Sequence, residues 1–210
     1  ATEVKQSGFV TFISPDLAAD LLGILNNDFN IDEGVSLDFD INVNPKAKVS
    51  IILNESTGNQ LNSRGDGLIK MKLEPSRDLE LYGTYTVSKG EYRFNIEGLF
   101  AKNFEVERGG TVTWNGDPYA ARLDLVAKYV TKANPELLTG ESSAVSTPVE
   151  VYLYISGGLT NPNIAFDIKA PRASSTTQAI LANRLNTDPA INQQVFSLFA
   201  FNSFTPPSEM

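Results

Sequence analysis

The sequence predicts a mainly β protein built on one elongated, curled, antiparallel-rich sheet, with a helix before the sheet and two helices after it. Three observations carry this expectation. Runs of alternating apolar and polar residues recur over residues 36–169, turn-forming glycine, asparagine and proline separate the runs, and a helical period shows only at the chain ends.

A first helix is expected at about residues 15–26. Ser14 offers a capping oxygen, Pro15 suits the first helical position, Asp16 sets an acid in the first turn, and Leu17, Leu21, Leu22 and Leu25 share one face. Over residues 36–44 the alternation is strict, with Leu37, Phe39, Ile41 and Val43 on one side and Ser36, Asp38, Asp40, Asn42 and Asn44 on the other. That is a half-buried strand. A turn at Asn44-Pro45-Lys46 leads to a second strand at 49–53, and residues 55–66 read as a polar loop around Gly58, Asn59 and Gly65. Further strands are expected at 68–73, 79–87, 91–98, 103–107, 110–114, 121–131, 148–156 and 163–169. Turns are expected at 74–76, 88–90, 108–109, 115–118 and 157–158. Connections this short join antiparallel neighbours, because a parallel crossover needs about a dozen residues. Residues 132–147, rich in Ser, Thr, Gly and Pro, read as a mobile loop. Beyond Ala170-Pro171 the period becomes helical. Ser174 or Ser175 caps a helix carrying Ile180, Leu181 and Leu185, and Asp188-Pro189 opens another carrying Ile191, Val195, Leu198 and Phe199. Three segments result: a helical segment at 1–35, the sheet at 36–170 and the C-terminal helices at 171–210.

Composition narrows the function. With 41% apolar and 10% aromatic residues the chain has the material for a core. A net charge of −8 with no run of Lys or Arg argues against nucleic acid and against an anionic membrane surface as partners. Cysteine and histidine are both absent. A catalytic reading would then need a Ser or Thr activated by Lys, or a pair of carboxylates. Asp38 and Asp40 share a face, but they alternate with the apolar residues and read as solvated charges. Asp28, Asp32 and Glu33 lack the spacing of a calcium loop, and Gly65-Asp66-Gly67 precedes no helix that would make it a phosphate cradle. No catalysis, cofactor or metal is expected. No run reaches the roughly 18 apolar residues of a membrane-spanning helix, and residues 1–10 lack the plan of a signal peptide. The chain therefore reads as an excised piece, with any anchor or export signal outside it.

The apolar side of the sheet carries Leu37, Phe39, Ile41, Val43, Met71, Leu73, Leu81, Tyr92, Phe94, Ile96, Val112, Trp114, Leu123, Leu125, Val151, Leu153, Ile164 and Phe166. Left in water, each would forgo on the order of 1.5–3 kcal/mol of burial. Three helices cover only part of about ten strands spaced roughly 4.8 Å apart. The sheet must close into a filled sandwich or barrel, or curl into a trough that holds an apolar ligand, and alternation alone leaves both open. Tyr82, Tyr152 and Tyr154 fall on the polar side, which allows a third reading, a carbohydrate-binding β-sandwich. Residues 195–201 are apolar nearly all round. They either plug the end of the sheet or await a partner, which makes Ile191, Val195, Phe196, Leu198, Phe199 and Phe201 the docking candidates.

One succession of short motifs resembles a known family. Leu79-Glu80-Leu81-Tyr82-Gly83-Thr84-Tyr85 leads to Gly90-Glu91-Tyr92-Arg93-Phe94, then Phe104-Glu105-Val106-Glu107-Arg108-Gly109-Gly110-Thr111-Val112-Thr113-Trp114-Asn115-Gly116-Asp117-Pro118, then Leu123-Asp124-Leu125. With Arg64-Gly65-Asp66-Gly67 upstream, and Ile191-Asn192-Gln193-Gln194-Val195-Phe196 and Asn202-Ser203-Phe204 downstream, it is similar to the C-terminal domain of the TamB family, in the form found in Bacteroidota. The resemblance covers about residues 36–204 and is carried by the order of the motifs.

What the resemblance implies is a β-taco-like trough, in a periplasm-spanning protein anchored to the inner membrane outside this fragment. It implies carriage of phospholipid or another apolar chain along the trough, and docking on an outer-membrane barrel-assembly partner of the TamA or BamA type. A docking and assembly module for outer-membrane protein biogenesis that handles no lipid is the alternative.

Overall fold

Among the described residues all strand pairing is antiparallel and joins ten strands into one sheet. The computed structural model describes residues 11–13, 36–54, 57–75, 77–96, 100–140 and 146–206. The strands are β1 (Thr11–Ile13), β2 (Leu37–Val43), β3 (Lys48–Asn54), β4 (Asn59–Leu73), β5 (Glu80–Ile96), β6 (Phe100–Val106), β7 (Thr111–Gly116), β8 (Arg122–Ala133), β9 (Thr147–Gly158) and β10 (Pro162–Lys169). The helices are α1 (Glu136–Thr139), α2 (Ser175–Arg184) and α3 (Asp188–Phe201). The helix expected at 15–26 lies outside the described residues.

Long strands pair with short ones laid end to end. β4 takes β2 along one half, from Leu37↔Leu73 to Val43↔Gly67, and β3 along the other, from Val49↔Ser63 to Asn54↔Asn59. β5 does the same with β7 and β6. The interruptions line up across the sheet. The turn at 44–47 between β2 and β3 faces a register shift at Arg64/Gly65 in β4. Ser88 is skipped in β5, where Arg64 pairs with Lys89 and Gly65 with Val87, and residues 107–110 separate β6 from β7.

This line is a hydrogen-bonded crease. Arg64 Nη1 donates to Lys46 O (2.9 Å), Ser88 Oγ donates to Arg64 O (3.0 Å), and Val87 exchanges backbone bonds with Gly109 and Gly110 (2.8 Å each). The crease stops at β8, which pairs with β9 without a break from Arg122↔Gly158 to Ala133↔Thr147.

Three expectations are corrected here. Residues 59–66, expected in a loop, form the first half of β4, and the turns expected at 88–90 and 157–158 lie inside β5 and β9. Glycine marks loops in a sequence, but in β4 it makes room for a neighbour. A Cβ on Gly65 would lie 2.0 Å from Thr86 O and 2.9 Å from the Tyr85 ring. That ring crosses over the glycine, and Tyr85 Oη meets Ser63 Oγ at 3.0 Å, both buried. Aromatic cover of this kind is how a sheet tolerates glycine in a strand. Gly83 on β5, the partner of Ile69, has φ +130°, and a Cβ there would lie 2.2 Å from Leu68 O. The third correction concerns 132–147. β8 runs to Ala133, α1 buries Leu138, and β9 starts at Thr147, because Ala133 and Leu138 join the core.

The sheet curls strongly. Ring centroids of Phe94 on β5 and Phe166 on β10 lie 5.6 Å apart. Four strand spacings separate those strands in the sheet, about 19 Å if it were flat at ~4.8 Å each. The apolar face therefore turns in on itself, and helix α3 packs against β10 and β6.

Candidate functional site

The inward face is a single apolar surface graded from closed to half-open. Val43, Leu81, Tyr92, Val112, Trp114, Leu123, Leu125, Val151 and Leu153 are buried; Ile41, Met71, Phe94 and Phe166 are partly buried and packed against them. Leu37, Phe39 and Leu73 are half-buried, so with Met71 they leave the β2–β4 corner half-open. Ile164 stands at the start of the edge strand β10, 37% exposed. The side chain of Ile96 lies outside the described ones.

Helix α3 closes the opposite end. Its six docking candidates divide by face. Val195, Leu198 and Phe199 are buried and Ile191 packs against the core, whereas Phe196 and Phe201 are 43% and 71% exposed. The Phe199 ring meets Tyr129 at 5.7 Å, Phe104 at 5.8 Å and Phe166 at 6.3 Å. Outside that cluster Phe196 meets Phe100 edge-on at 5.4 Å.

The sequence sets this arrangement locally. Asp188 and Pro189 open the helix, and Asn202 ends it in the left-handed region (φ 50°), donating from its N–H to Leu198 O. The tail then folds back. Thr205 N donates to Gln194 Oε1 (2.9 Å), Gln194 Nε2 donates to Thr205 O (3.1 Å), Ser197 Oγ donates to Ser203 O (2.6 Å), and Phe204 is buried. Thr131 Oγ1 donates to Asn202 Oδ1 (3.0 Å), which ties the helix end to β8.

One polar atom inside this interior has no partner among the described residues. Trp114 Nε1 is buried and unpaired, a costly state for a donor.

On the polar face the tyrosines are engaged separately. Tyr152 Oη donates to Glu150 Oε2 (2.8 Å), and Lys169 Nζ stands 4.8 Å from its ring centroid. That bond to a carboxylate, helped by partial burial, pushes the Tyr152 phenol up to about 12. Tyr82 Oη bonds Glu80 in the same way (3.0 Å) and its phenol is likewise raised. Inside the sheet, burial raises the Tyr85 and Tyr92 phenols. Tyr82 on β5 is three strand spacings from Tyr152 and Tyr154 on β9, so the three rings form no shared platform. The polar face instead holds a groove of about 850 Å³ that runs from β3 to β8 and is lined by charged and amide side chains.

Leu61, Phe104 and Tyr129 belong to the interior but were not among the expected lining residues. Phe104 alternates with Val106 and was accessible to period-2 reasoning. Leu61 was hidden, because its neighbours on the same face are Ser63, Gly65 and Gly67.

Among the described residues no helix is long and apolar enough to cross a membrane. A search of the curated proteins finds no match to the chain. A family model described as the TamB C-terminal domain matches residues 2–209, nearly the whole chain. The chain therefore belongs to the TamB C-terminal domain family.

Proposed function

We propose that this chain is the far end of a periplasm-spanning TamB-like protein that carries phospholipid along its apolar inner face toward the outer membrane. It docks there on a barrel-assembly partner of the TamA or BamA type. Family membership supports a TamB-like role in outer-membrane assembly, in a family that spans the periplasm and associates with TamA. The observation that carries the lipid reading is the one-sided apolar face, half-open at Leu37, Phe39, Met71 and Leu73 and occupied by protein at the α3 end.

In this reading acyl chains enter against the half-open corner, while head groups stay in water at the sheet margin. Burial of each methylene contributes about 0.8 kcal/mol, so no covalent step is needed to hold the chain. Val195, Leu198 and Phe199 already occupy the far end, so α3 acts as a plug in the carriage path. A partner that engages Phe196 and Phe201 draws the plug out and receives the lipid.

Native mass spectrometry of the chain purified from membranes tests this. Bound phospholipid is expected, lost on Phe39→Asp and retained on Asp40→Asn. Lipid-free protein under gentle extraction, or equal lipid on both variants, overturns it.

A second reading, docking and assembly without lipid, is favoured by the tight packing around Phe199 and by exposed Phe196 and Phe201. Here the chain binds the partner through α3 and no lipid adduct forms. Loss of partner capture on Phe201→Ser, with no lipid in the parent, would select it.

A further inference from the structure

The polar-face groove sets like charges side by side on neighbouring strands. Arg64 on β4 and Lys89 on β5 are direct cross-strand partners. Lys48, next to Val49 in the β3–β4 register, extends the row on β3. All three line the groove. Like charges set directly opposite one another destabilise a sheet, and among the described residues none of the three makes an ion pair.

Two residues farther along β5, Glu91 faces Glu105 on β6, again as direct partners and again without an ion pair among the described residues. The groove thus carries a cationic row and an anionic pair about 7 Å apart, from two residues at the strand rise of roughly 3.3–3.4 Å each. The remaining cation of the groove, Lys128 on β8, is the cross-strand partner of Glu105 and makes its ion pairs with Glu107 and Glu150 (3.9 Å each).

The cationic row is braced. Arg64 Nη1 is held by Lys46 O (2.9 Å) and Pro45 O (3.4 Å) at the crease, and Lys89 follows the skipped Ser88. At about 850 Å³ the groove has the size of a small-molecule site. A simple anion relieves one repulsive row, whereas a ligand with an anion and a cation a few bonds apart relieves both.

We propose that this groove binds a phosphate ester bearing a primary ammonium group, with phosphate on Lys48, Arg64 and Lys89 and ammonium on Glu91 and Glu105. The site lies on the face opposite the apolar interior and stands independently of lipid carriage. Phosphate accepts from Arg and Lys in short charge-assisted bonds, and the carboxylates accept from the ammonium.

Calorimetric titration of the full chain at low salt is the test, with O-phosphoethanolamine, glycerol 3-phosphate and inorganic phosphate as probes. Phosphoethanolamine is expected to saturate one site about tenfold more tightly than the other two, the worth of one added charge-assisted contact. Arg64→Gln with Lys89→Gln should abolish binding of all three probes. Glu91→Gln with Glu105→Gln should bring phosphoethanolamine down to the level of glycerol 3-phosphate.

Flotation with phosphatidylcholine vesicles, with and without phosphatidylethanolamine, separates the sources. Flotation that requires phosphatidylethanolamine and is lost in Arg64→Gln/Lys89→Gln assigns the ligand to a membrane headgroup, and soluble binding without flotation assigns it to a free ester. No saturable phosphoethanolamine binding, or binding unchanged in the Arg64→Gln/Lys89→Gln protein, overturns the proposal. Arg64→Gln also removes the crease bonds to Lys46 O and Pro45 O, so Lys89→Gln alone, which removes repulsion and no crease bond, should melt no lower than the parent and should still weaken binding of all three probes.

Discussion

Replacing Phe199 by Ala tests whether α3 is a packed part of the interior. The side chain is 3% exposed and touches Tyr129, Phe104 and Phe166, from three separate strands. Truncating a buried Phe costs about 3–5 kcal/mol through lost transfer energy and the cavity left behind. The ring contacts add no separate sum, since they are part of the same removal. About 4 kcal/mol is therefore expected, against less than about 0.5 kcal/mol for Phe201→Ala on the exposed side of the same helix. With a urea slope of about 2 kcal/mol/M, the Phe199→Ala midpoint should fall by about 2 M while that of Phe201→Ala hardly moves. A double-mutant cycle with Phe104→Ala should return a coupling of about 0.5–1.5 kcal/mol for the edge-on pair. Equal midpoints for the two helix variants, or no coupling to Phe104, would refute the plug.

Three further outcomes follow from the geometry. Gly65→Ala places a methyl against Thr86 O and the Tyr85 ring and should cost at least about 1–3 kcal/mol of overpacking, read as a lower urea midpoint; an unchanged midpoint would mean β4 and β5 are not in that close contact. Leu153→Asp buries a carboxylate at a fully buried position and should cost more than about 4 kcal/mol or prevent folding, whereas Tyr154→Asp next to it, at 37% exposure, should fold; equal effects would remove the one-sided face. The Tyr152 phenol is raised above its ordinary 10.0 to about 12, so its contribution to stability is complete below pH 10 and lost as pH climbs through 10–12. The gap in urea midpoint between the parent and Tyr152→Phe should shrink across that window, and a gap independent of pH would mean the Glu150 bond is absent in solution.

Much of the sheet was legible because alternation is a direct record of one wet and one dry side. Leu37 to Val43 and Val149 to Ile155 keep their apolar residues at every second position, and both lie in strands where the period places them. The closing helices were equally plain, since Ser174 Oγ accepts from Thr177 N and Pro189 stands in the first turn of α3. The strand at 59–66 was not legible, because Ser63 and Gly65 occupy inward positions where the period demands large apolar residues. The missing bulk is supplied by Tyr85, on another strand. The rows of charge in the groove were invisible for a related reason. Lys48, Arg64 and Lys89 are far apart in the chain, and only the register brings them side by side. Within α3 the period told which residues are apolar without saying which face meets the sheet, so Val195 and Phe201 looked alike before packing separated them.

The aligned interruptions at 44–47, Arg64/Gly65, Ser88 and 107–110 have a consequence for how the family can vary in length. Register is counted separately on each side of such a line, so one residue added at Pro45 or Arg108 is absorbed in a turn and leaves both neighbouring ladders in phase. The same addition at Leu125 meets no such outlet. β8 and β9 run straight through, and a slip there would send every oily residue beyond it to the water side. Insertions are therefore admissible at the crease and forbidden in the β8–β9 spine.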